Sequence, residues 1–384
     1  MIFTIDYPTK VLIGEDCSAQ TGSKLKEFGV SKALCVYDPG IKSAGLVDNI
    51  IKSIKDAGIQ TVEYGEVTPD PYDKVVNAAG ALGRKEDVDV VIGIGGGSSL
   101  DAAKAANVLL GNPGPINDYF GMDVTKKPGK LLVLIPTTSG TGSEISQVAA
   151  IGDSASGKKL PVFGPNCIAN LAIVDPLLTL GLPPHITAYT GVDALAHAIE
   201  AYTSAMSTPI SDVVALKAVS LVNQSLVAAV KDGSNVKARA DMSFASTLAG
   251  MAFLQAPPHI GHCIGTPIGA RYHMPHGLSI AIILPGILGY LSDVLPEKIK
   301  TIGELLGLKF NDEATSEAIG KLVDEHLRAL NKEIGIPTLK QSNVPEADLE
   351  AIAEEAMEEP LVNIIPKKMG IEDMLGILRK EYRY

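Results

Sequence analysis

The chain has 384 residues, 46% of them hydrophobic, with a mean hydropathy of +0.20, which excludes a disordered chain and leaves room for a large core and two domains. Its formal net charge of −11 comes without any long basic stretch, so a phosphate backbone is repelled and nucleic acid is not an expected partner. The start "MIFTIDYPTK" lacks a basic segment followed by an apolar one, the run "LSIAIILPGILGYL" is short and broken by Pro285 and Gly286, and Cys17, Cys35, Cys167 and Cys263 are widely spaced; the expectation is a cytoplasmic protein with no membrane segment and with reduced, mostly buried thiols.

In chain order, apolar β-rich runs come first: "KALCVYD" (32–38), "QTVEYGEV" (60–67), "DVVIGIG" (89–95), "LLVLIPTT" (131–138) and "LAIVD" (171–175). Helix-like segments near 45–57, 72–86 and 98–110 separate the earlier ones. Near-continuous apolar strands alternating with helices predict a parallel sheet covered on both faces. From "LPPHITAYTGVDALAHAIEAY" onward the pattern turns helical, with long periodic stretches at 211–230, 236–254, 312–334 and 345–358 bounded by Pro or Gly. The predicted organisation is an α/β domain over 1–180 followed by an all-α helical domain over 181–384.

"DVVIGIGGGSSLDAAKAANVLL" reads as a buried strand, three glycines, and Ser98 and Ser99 opening a helix. Glycines let a backbone approach a ligand and the N–H groups of a helix start attract anions, so this is a candidate phosphate cradle; a tight βα turn with a serine N-cap is the structural alternative. Asp38 closes the first strand of the α/β run, where a carboxylate accepts from an adenosine ribose and repels a 2′-phosphate, favouring NAD over NADP. "PTTSGTGSE" (136–144) places five hydroxyl residues and two glycines after another strand, more polar groups than a structural turn requires and well suited to a dinucleotide. The ordinary GxGxxG fingerprint after a first strand is absent.

"GVDALAHAIEAY" (191–202) reads as a buried helix that carries Asp193 and His197 four residues apart, on one face. Of seven histidines, four fall within "HIGHCIGTPIGARYHMPH" (259–276). One carboxylate with several imidazoles suits iron(II) or zinc, and a cation relieves the cost of a buried, unpaired aspartate. Spacing alone leaves open which two of His259, His262, His273 and His276 bind.

"GGGSSLDAAKA", "PTTSGTGSE", "GVDALAHAIEAY" and "GARYHMPHG", in this order and spanning essentially the whole chain, resemble the iron-containing (group III) alcohol dehydrogenase family. The resemblance implies an N-terminal nucleotide-binding α/β domain, an all-helical metal-binding C-terminal domain of the dehydroquinate synthase-like type, a cleft holding NAD(H) and one divalent metal (Fe2+, or Zn2+), and a homodimer. It places the metal ligands on Asp193, His197, His262 and His276, with His259 and His273 around them. It places cofactor contacts on Asp38, Gly96, Gly97, Ser98, Thr137, Thr138, Ser143, Ser146, Lys159 and Leu178. Where the family carries a further histidine four residues after the third ligand, this chain has Thr266, so Thr266 and His273 become the candidate proton relay. Phe253 matches a pocket-lining position, and Arg271 is a candidate grip for an anionic substrate, against the alternative of an outward-facing ion pair.

The expected activity is NAD- and metal-dependent hydride transfer between a primary alcohol and its aldehyde, acting as an aldehyde reductase, with a short anionic aldehyde among the candidate substrates. Two alternatives compete. A lyase resembling dehydroquinate synthase would need several basic side chains around a charged substrate, and Arg271 is the main candidate here. A metal-dependent hydrolase explains the histidines but not the glycine turn and Asp38.

Overall fold

A computed structural model describes residues 3–384. The chain divides into two compact units: Asp6–Thr138 with Gly142–Gly181, and Leu182–Tyr384 with Ser139–Thr141 and the described residues before Asp6.

The first unit is built on a six-stranded, wholly parallel sheet in the order β1-β9-β6-β4-β2-β3. Its strands are β1 (Lys10–Ile13), β2 (Lys32–Val36), β3 (Gln60–Tyr64), β4 (Val90–Gly95), β6 (Leu131–Pro136) and β9 (Leu171–Val174). β5 (Gly121–Met122), β7 (Val148–Gly152) and β8 (Lys159–Phe163) form a second, mixed sheet in which β8 pairs parallel with β5 and antiparallel with β7. Helices α1 (Thr21–Glu27), α2 (Pro39–Ser43), α3 (Leu46–Asp56), α4 (Asp73–Glu86) and α5 (Gly97–Gly111) belong to this unit. Two apolar clusters account for the continuous hydrophobic runs: Leu34, Val36, Val91 and Leu134 in one, and Ala33, Cys35, Ile92 and Ile135 in the other. The central strands β2, β4 and β6 thus bury both of their faces, as the interior of a parallel sheet demands.

The connections leave β2 and β4 in opposite directions, β2 toward β3 at one edge and β4 toward β6 on the other side. These neighbours therefore flank a topological switch point, the place where open α/β sheets bind ligands beyond their carboxyl ends. Asp38 follows β2 and the glycine turn follows β4. The edge strand β1, β5 and the β7–β8 hairpin were absent from the sequence expectation. Because β1 precedes it in the chain, the strand leading to Asp38 is the second and not the first.

The second unit contains α6 (Pro184–Thr203), α7 (Pro209–Lys231), α8 (Val236–Gln255), α9 (Ile260–Tyr272), α10 (His276–Leu291), α11 (Pro296–Leu305), α12 (Ser316–Glu333), α13 (Leu349–Glu358) and α14 (Ile371–Arg383), and its named elements are all helical. Leu195, Ile199, Val219, Val222, Met242, Ile283 and Leu288 sit in one large apolar cluster. Among the described residues α7 is long and apolar enough to cross a membrane by length and composition, and half of its most apolar window is buried inside the protein. That burial, with Val219, Val222 and Leu226 at or near zero exposure, is the behaviour of a core helix.

Candidate metal and nucleotide sites

α6 runs through the core of its unit, and every residue from Gly191 to Thr203 is buried. Asp193, His197 and Glu200 recur at i, i+4 and i+7 and so share one face. α9 begins at Ile260 and carries His262 in its first turn, while His276 opens α10. Asp193, His262 and His276 present ligand-type atoms that all lie within 4.8 Å of one another. The Nε2 atoms of His262 and His276 each lie 3.9 Å from Asp193 Oδ1. His197 turns its Nε2 to within 3.0 Å of His262 Nε2.

Two observations test whether this group suits a cation. Asp193 Oδ1 is buried with no hydrogen-bond partner, which is costly for a carboxylate unless a cation takes up its lone pairs. The Nδ1 atoms of the two facing imidazoles have acceptors of their own: His262 Nδ1 donates to Glu200 Oε2 at 2.5 Å and His197 Nδ1 to the Gly140 carbonyl at 3.3 Å. With both Nδ1 atoms protonated, both Nε2 lone pairs point at the same volume, an arrangement that a metal satisfies and two neutral rings alone do not. Burial first, then the neighbouring His197 ring, depresses His262 to about 3, so it is neutral at physiological pH, as a ligand must be. One carboxylate oxygen and three imidazole nitrogens fit iron(II) or zinc.

His259 and His273 stand apart from this constellation. His259 is fully buried and N-caps α9: its Nδ1 accepts from the Ile260 N–H at 2.8 Å, so its Nε2–H donates to Thr203 Oγ1 at 2.9 Å. His273 is exposed and closes α9 in a left-handed conformation at φ 51. Thr266, in mid-α9, donates its hydroxyl hydrogen to the His262 carbonyl at 2.8 Å. Phe253 is half-buried against His197, with ring centroids 4.6 Å apart. Of the two readings of Arg271 the structure has the outward-facing ion pair and not the grip on an anionic substrate: the residue is exposed and its guanidinium pairs with the Glu355 carboxylate.

In the α/β unit the N-cap of α5 is Gly96, with no side-chain cap, so the serine N-cap alternative does not hold. Gly95 has φ +140, a conformation that side chains rarely adopt, and a Cβ there would lie 2.7 Å from the Ser99 side chain and 3.2 Å from Asp38 Oδ2. The N–H groups of Gly97 and Ser98 precede the first turn of hydrogen bonds, which begins with Ser99 N–H on the Gly96 carbonyl at 3.0 Å, and a Gly96 Cβ would lie 3.3 Å from the Thr138 side chain. Thr137 holds the turn by donating its N–H to the Gly95 carbonyl at 2.9 Å. Asp38 Oδ1 caps α2 through the Ile41 N–H at 3.1 Å and Oδ2 accepts from Ser99 Oγ at 3.1 Å, which leaves further lone pairs on each oxygen. Ser98 Oγ accepts from the Asp70 N–H at 3.3 Å, and Asp70 Oδ1 pairs with Lys159 Nζ at 2.7 Å; one residue thereby connects two sequence candidates.

Others lie deeper. Ser143 donates to Asp101 Oδ1 at 2.6 Å, Ser146 accepts from the buried Lys104 Nζ at 2.9 Å, and Leu178 is packed in an apolar cluster. The hydroxyl motif is divided between the units, since Ser139–Thr141 group with the helices. Ser139 Oγ lies 3.0 Å from Ser243 Oγ, and Gly140 is so close to α6 that a Cβ would sit 2.6 Å from the Thr190 carbonyl oxygen.

Sequence reasoning missed Glu200, Asp70 and Lys104. Glu200 had a signal, a carboxylate three residues after His197 in the otherwise apolar run "ALAHAIEAY". Lys104 had one as well, a lone cation within the apolar "DAAKAANVLL". Asp70 lies in a loop and had none.

Comparison with known proteins supplies the class. Residues 8–176 match the family described as iron-containing alcohol dehydrogenase, and residues 187–382 match the Fe-containing alcohol dehydrogenase family, C-terminal. The NAD-dependent methanol dehydrogenase of Bacillus methanolicus is 35% identical over 97% of this chain and 98% of its own length. A crystal structure of 1,3-propanediol oxidoreductase superposes with a TM-score of 0.96 at 32% identity, covering 99% of this chain and 100% of that one. Sulfoacetaldehyde reductase from Bifidobacterium kashiwanohense, solved with NAD+, gives a TM-score of 0.89 at 26% identity over 100% and 99% of the two chains. These relatives are redox enzymes, which supports hydride transfer and not the lyase alternative. The chain belongs to the iron-containing alcohol dehydrogenase family and is an NAD- and metal-dependent oxidoreductase of alcohols and aldehydes.

Proposed function

We propose that Asp193, His197, His262 and His276 hold one divalent cation. In the same reading Asp38, the Gly96–Ser98 turn, Thr137, Thr138, Ser143, Ser146, Lys159 and Leu178 form the NAD(H) site, and the enzyme interconverts a short primary alcohol and its aldehyde. The observation that carries the metal assignment is the buried, unpartnered Asp193 Oδ1 facing the imidazoles of His262 and His276. When bound, the cation supplies Lewis-acid polarisation of the substrate oxygen. Asp193 contributes the negative charge that favours a divalent ion, and the Gly140 carbonyl and Glu200 hold two imidazoles in the ligating tautomer. Phe253 offers an apolar wall beside His197 for a short carbon chain. Because Thr266 donates into its own helix, protons are proposed to pass through water, with His273 as the exposed imidazole nearest in sequence.

For the substrate we propose a small aliphatic aldehyde. The likeness to 1,3-propanediol oxidoreductase and to sulfoacetaldehyde reductase supports uncharged and anionic compounds alike, and with Arg271 paired to Glu355 an anion would have to be gripped by another cation. We further propose a cytoplasmic homodimer: all four cysteines are free and buried, as suits a reducing compartment, and dimerisation follows the family resemblance.

The deciding experiment measures metal per chain. His262→Ala and His276→Ala should lose the metal and most aldehyde-dependent NADH consumption. His259→Ala should keep the metal while losing about 2 kcal/mol of stability with its cap and hydrogen bonds. Stoichiometric metal in both ligand variants would overturn the assignment.

A further inference from the structure

Glu200 is fully buried, and its carboxylate is completely engaged. Oε1 accepts from the backbone N–H groups of Gly261 at 2.6 Å and His259 at 3.2 Å, and Oε2 accepts from His262 Nδ1 at 2.5 Å. A side chain of α6 therefore binds the first turn of α9 by its backbone and its imidazole at once. A buried carboxylate is expensive to keep. The hydrophobic cluster on α6 would be served as well by an apolar side chain of the same shape. His197 manages with a neutral backbone carbonyl at 3.3 Å, so a carboxylate is not needed merely to fill the space behind a ligating imidazole.

We propose that Glu200 is a positioning residue that sets the metal affinity of this site by holding His262 as the Nδ1–H tautomer, with Nε2 aimed between Asp193, His197 and His276. This rests on the ligand reading above. With Oε1 fixed by two backbone donors, Oε2 can only accept from Nδ1, which puts the ring hydrogen there and leaves Nε2 bare. Glu200→Gln keeps size and shape and inverts that polarity. Its amide oxygen must stay on the two backbone N–H groups, so its NH2 faces Nδ1 and donates. Nδ1 must then accept, and the ring hydrogen moves to Nε2, the atom that should ligate. The opposite amide orientation would break both backbone hydrogen bonds and set donor against donor.

The test is Zn2+ affinity of the full-length protein, titrated in competition with a chromophoric chelator, alongside the melting temperature of the metal-free protein. Glu200→Gln should weaken Zn2+ by about 10- to 100-fold. In Zn2+-loaded, 15N-histidine-labelled parent protein the His262 Nδ1 should carry the hydrogen, and in Glu200→Gln with excess Zn2+ that signature should be lost. A purely structural role would lower the metal-free melting temperature while leaving the Zn2+ affinity within threefold of the parent, and that result overturns the proposal. If Glu200→Gln does not fold, Glu200→Asp serves: it keeps the charge but withdraws it by about 1.5 Å, beyond good hydrogen-bond reach of Nδ1, and parent-like affinity there overturns the proposal equally. Retention of Zn2+ by His262→Ala would sink the ligand set itself, whereas loss in His262→Ala with retention in Glu200→Gln sinks only the role of Glu200.

Discussion

Gly277 follows His276, and a Cβ built on it would lie 2.5 Å from the Tyr189 carbonyl oxygen, 2.9 Å from that carbonyl carbon and 3.3 Å from the Asp193 Cβ. The first two obstacles are backbone of α6, which cannot rotate aside as a side chain would. Even close C–H···O contacts are about 3.3 Å, so Gly277→Ala must separate the start of α10 from α6 by about 0.8 Å. His276 rides on the moving element and Asp193 on the other. Metal–ligand distances tolerate only about 0.2 Å, so the displacement is several times what coordination allows. We expect at least tenfold weaker metal binding, a loss of activity on the order of 100-fold and about 1–3 kcal/mol of lost stability from overpacking. Gly289→Ala is the control, being on the same helix with only the flexible tip of Lys380 at 3.4 Å; it should be neutral or stabilising by up to about 1 kcal/mol. The assay is metal per chain after gel filtration, with turnover and urea unfolding on both variants. Parent-like metal content and activity in Gly277→Ala would refute the claim that this close approach sets the ligand geometry.

Asp38→Gly should narrow the preference for NAD over NADP by removing the charge that repels a 2′-phosphate; since glycine is a tolerated N-cap, α2 should lose only a few tenths of a kcal/mol, and the check is the ratio of kcat/KM for the two cofactors in parent and variant, where an unchanged ratio would count against the role. Arg271→Ala should change kcat/KM for propanal and for a short anionic aldehyde by less than about twofold, because the exposed Glu355 pair contributes at most about 1 kcal/mol; a selective loss with the anion would return Arg271 to the substrate site. Asp89 is held below the ordinary aspartate value of 3.8, chiefly by the Ser31 hydroxyl and then by the Ser31 and Lys32 N–H groups. A carboxyl depressed in the fold stabilises above its unfolded value and loses that contribution as pH falls through its folded value. Asp89→Ala should therefore cost about 1–2 kcal/mol at pH 7, and the deficit against the parent should close only below about pH 3.8; a deficit constant from pH 7 to pH 3 would contradict it.

What the sequence revealed depended on whether a residue's role is written in local pattern. Burial on both faces makes β2, β4 and β6 apolar throughout, so their runs were readable, whereas β1 has one exposed and three partly exposed residues and resembles a loop. The hairpin of β7 and β8 escaped because Pro161 and Gly152 look like breakers. α9 and α10 were read for their histidines and not as helices, since Pro267 and Pro285 lie inside them. The candidate metal group was legible because Asp193 and His197 share a helical face and because histidine is scarce in this chain. The pairing of Glu200 with His262 was not, since it joins two helices sixty-two positions apart. Arg271 could be assigned to either side of its helix from sequence, and only the position of Glu355 on α13 decides it.

The hydroxyl motif shows the same limit in the nucleotide-binding half, and for a chemical reason. A serine that donates its hydrogen inside the protein has only lone pairs left for a ligand. Ser143 gives its hydrogen to Asp101, whose other oxygen accepts the Ala150 N–H at 3.0 Å. Ser146 receives Lys104, which also donates to the Val148 carbonyl at 2.9 Å and lies 3.7 Å from Asp101. Burial drives Lys104 below its ordinary value, while Asp101 and Glu144 oppose that shift. A buried cation with its donors engaged in this way fixes the backbone between α5 and β7, and an apolar replacement would leave Ser146 and the Val148 carbonyl short of a donor. The many hydroxyls after β6 therefore have two causes. Thr137 and Thr138 stay with the glycine turn beside α5, whereas Ser143 and Ser146 are held by a buried charge network that shapes the segment on which any nucleotide contact from this motif would depend.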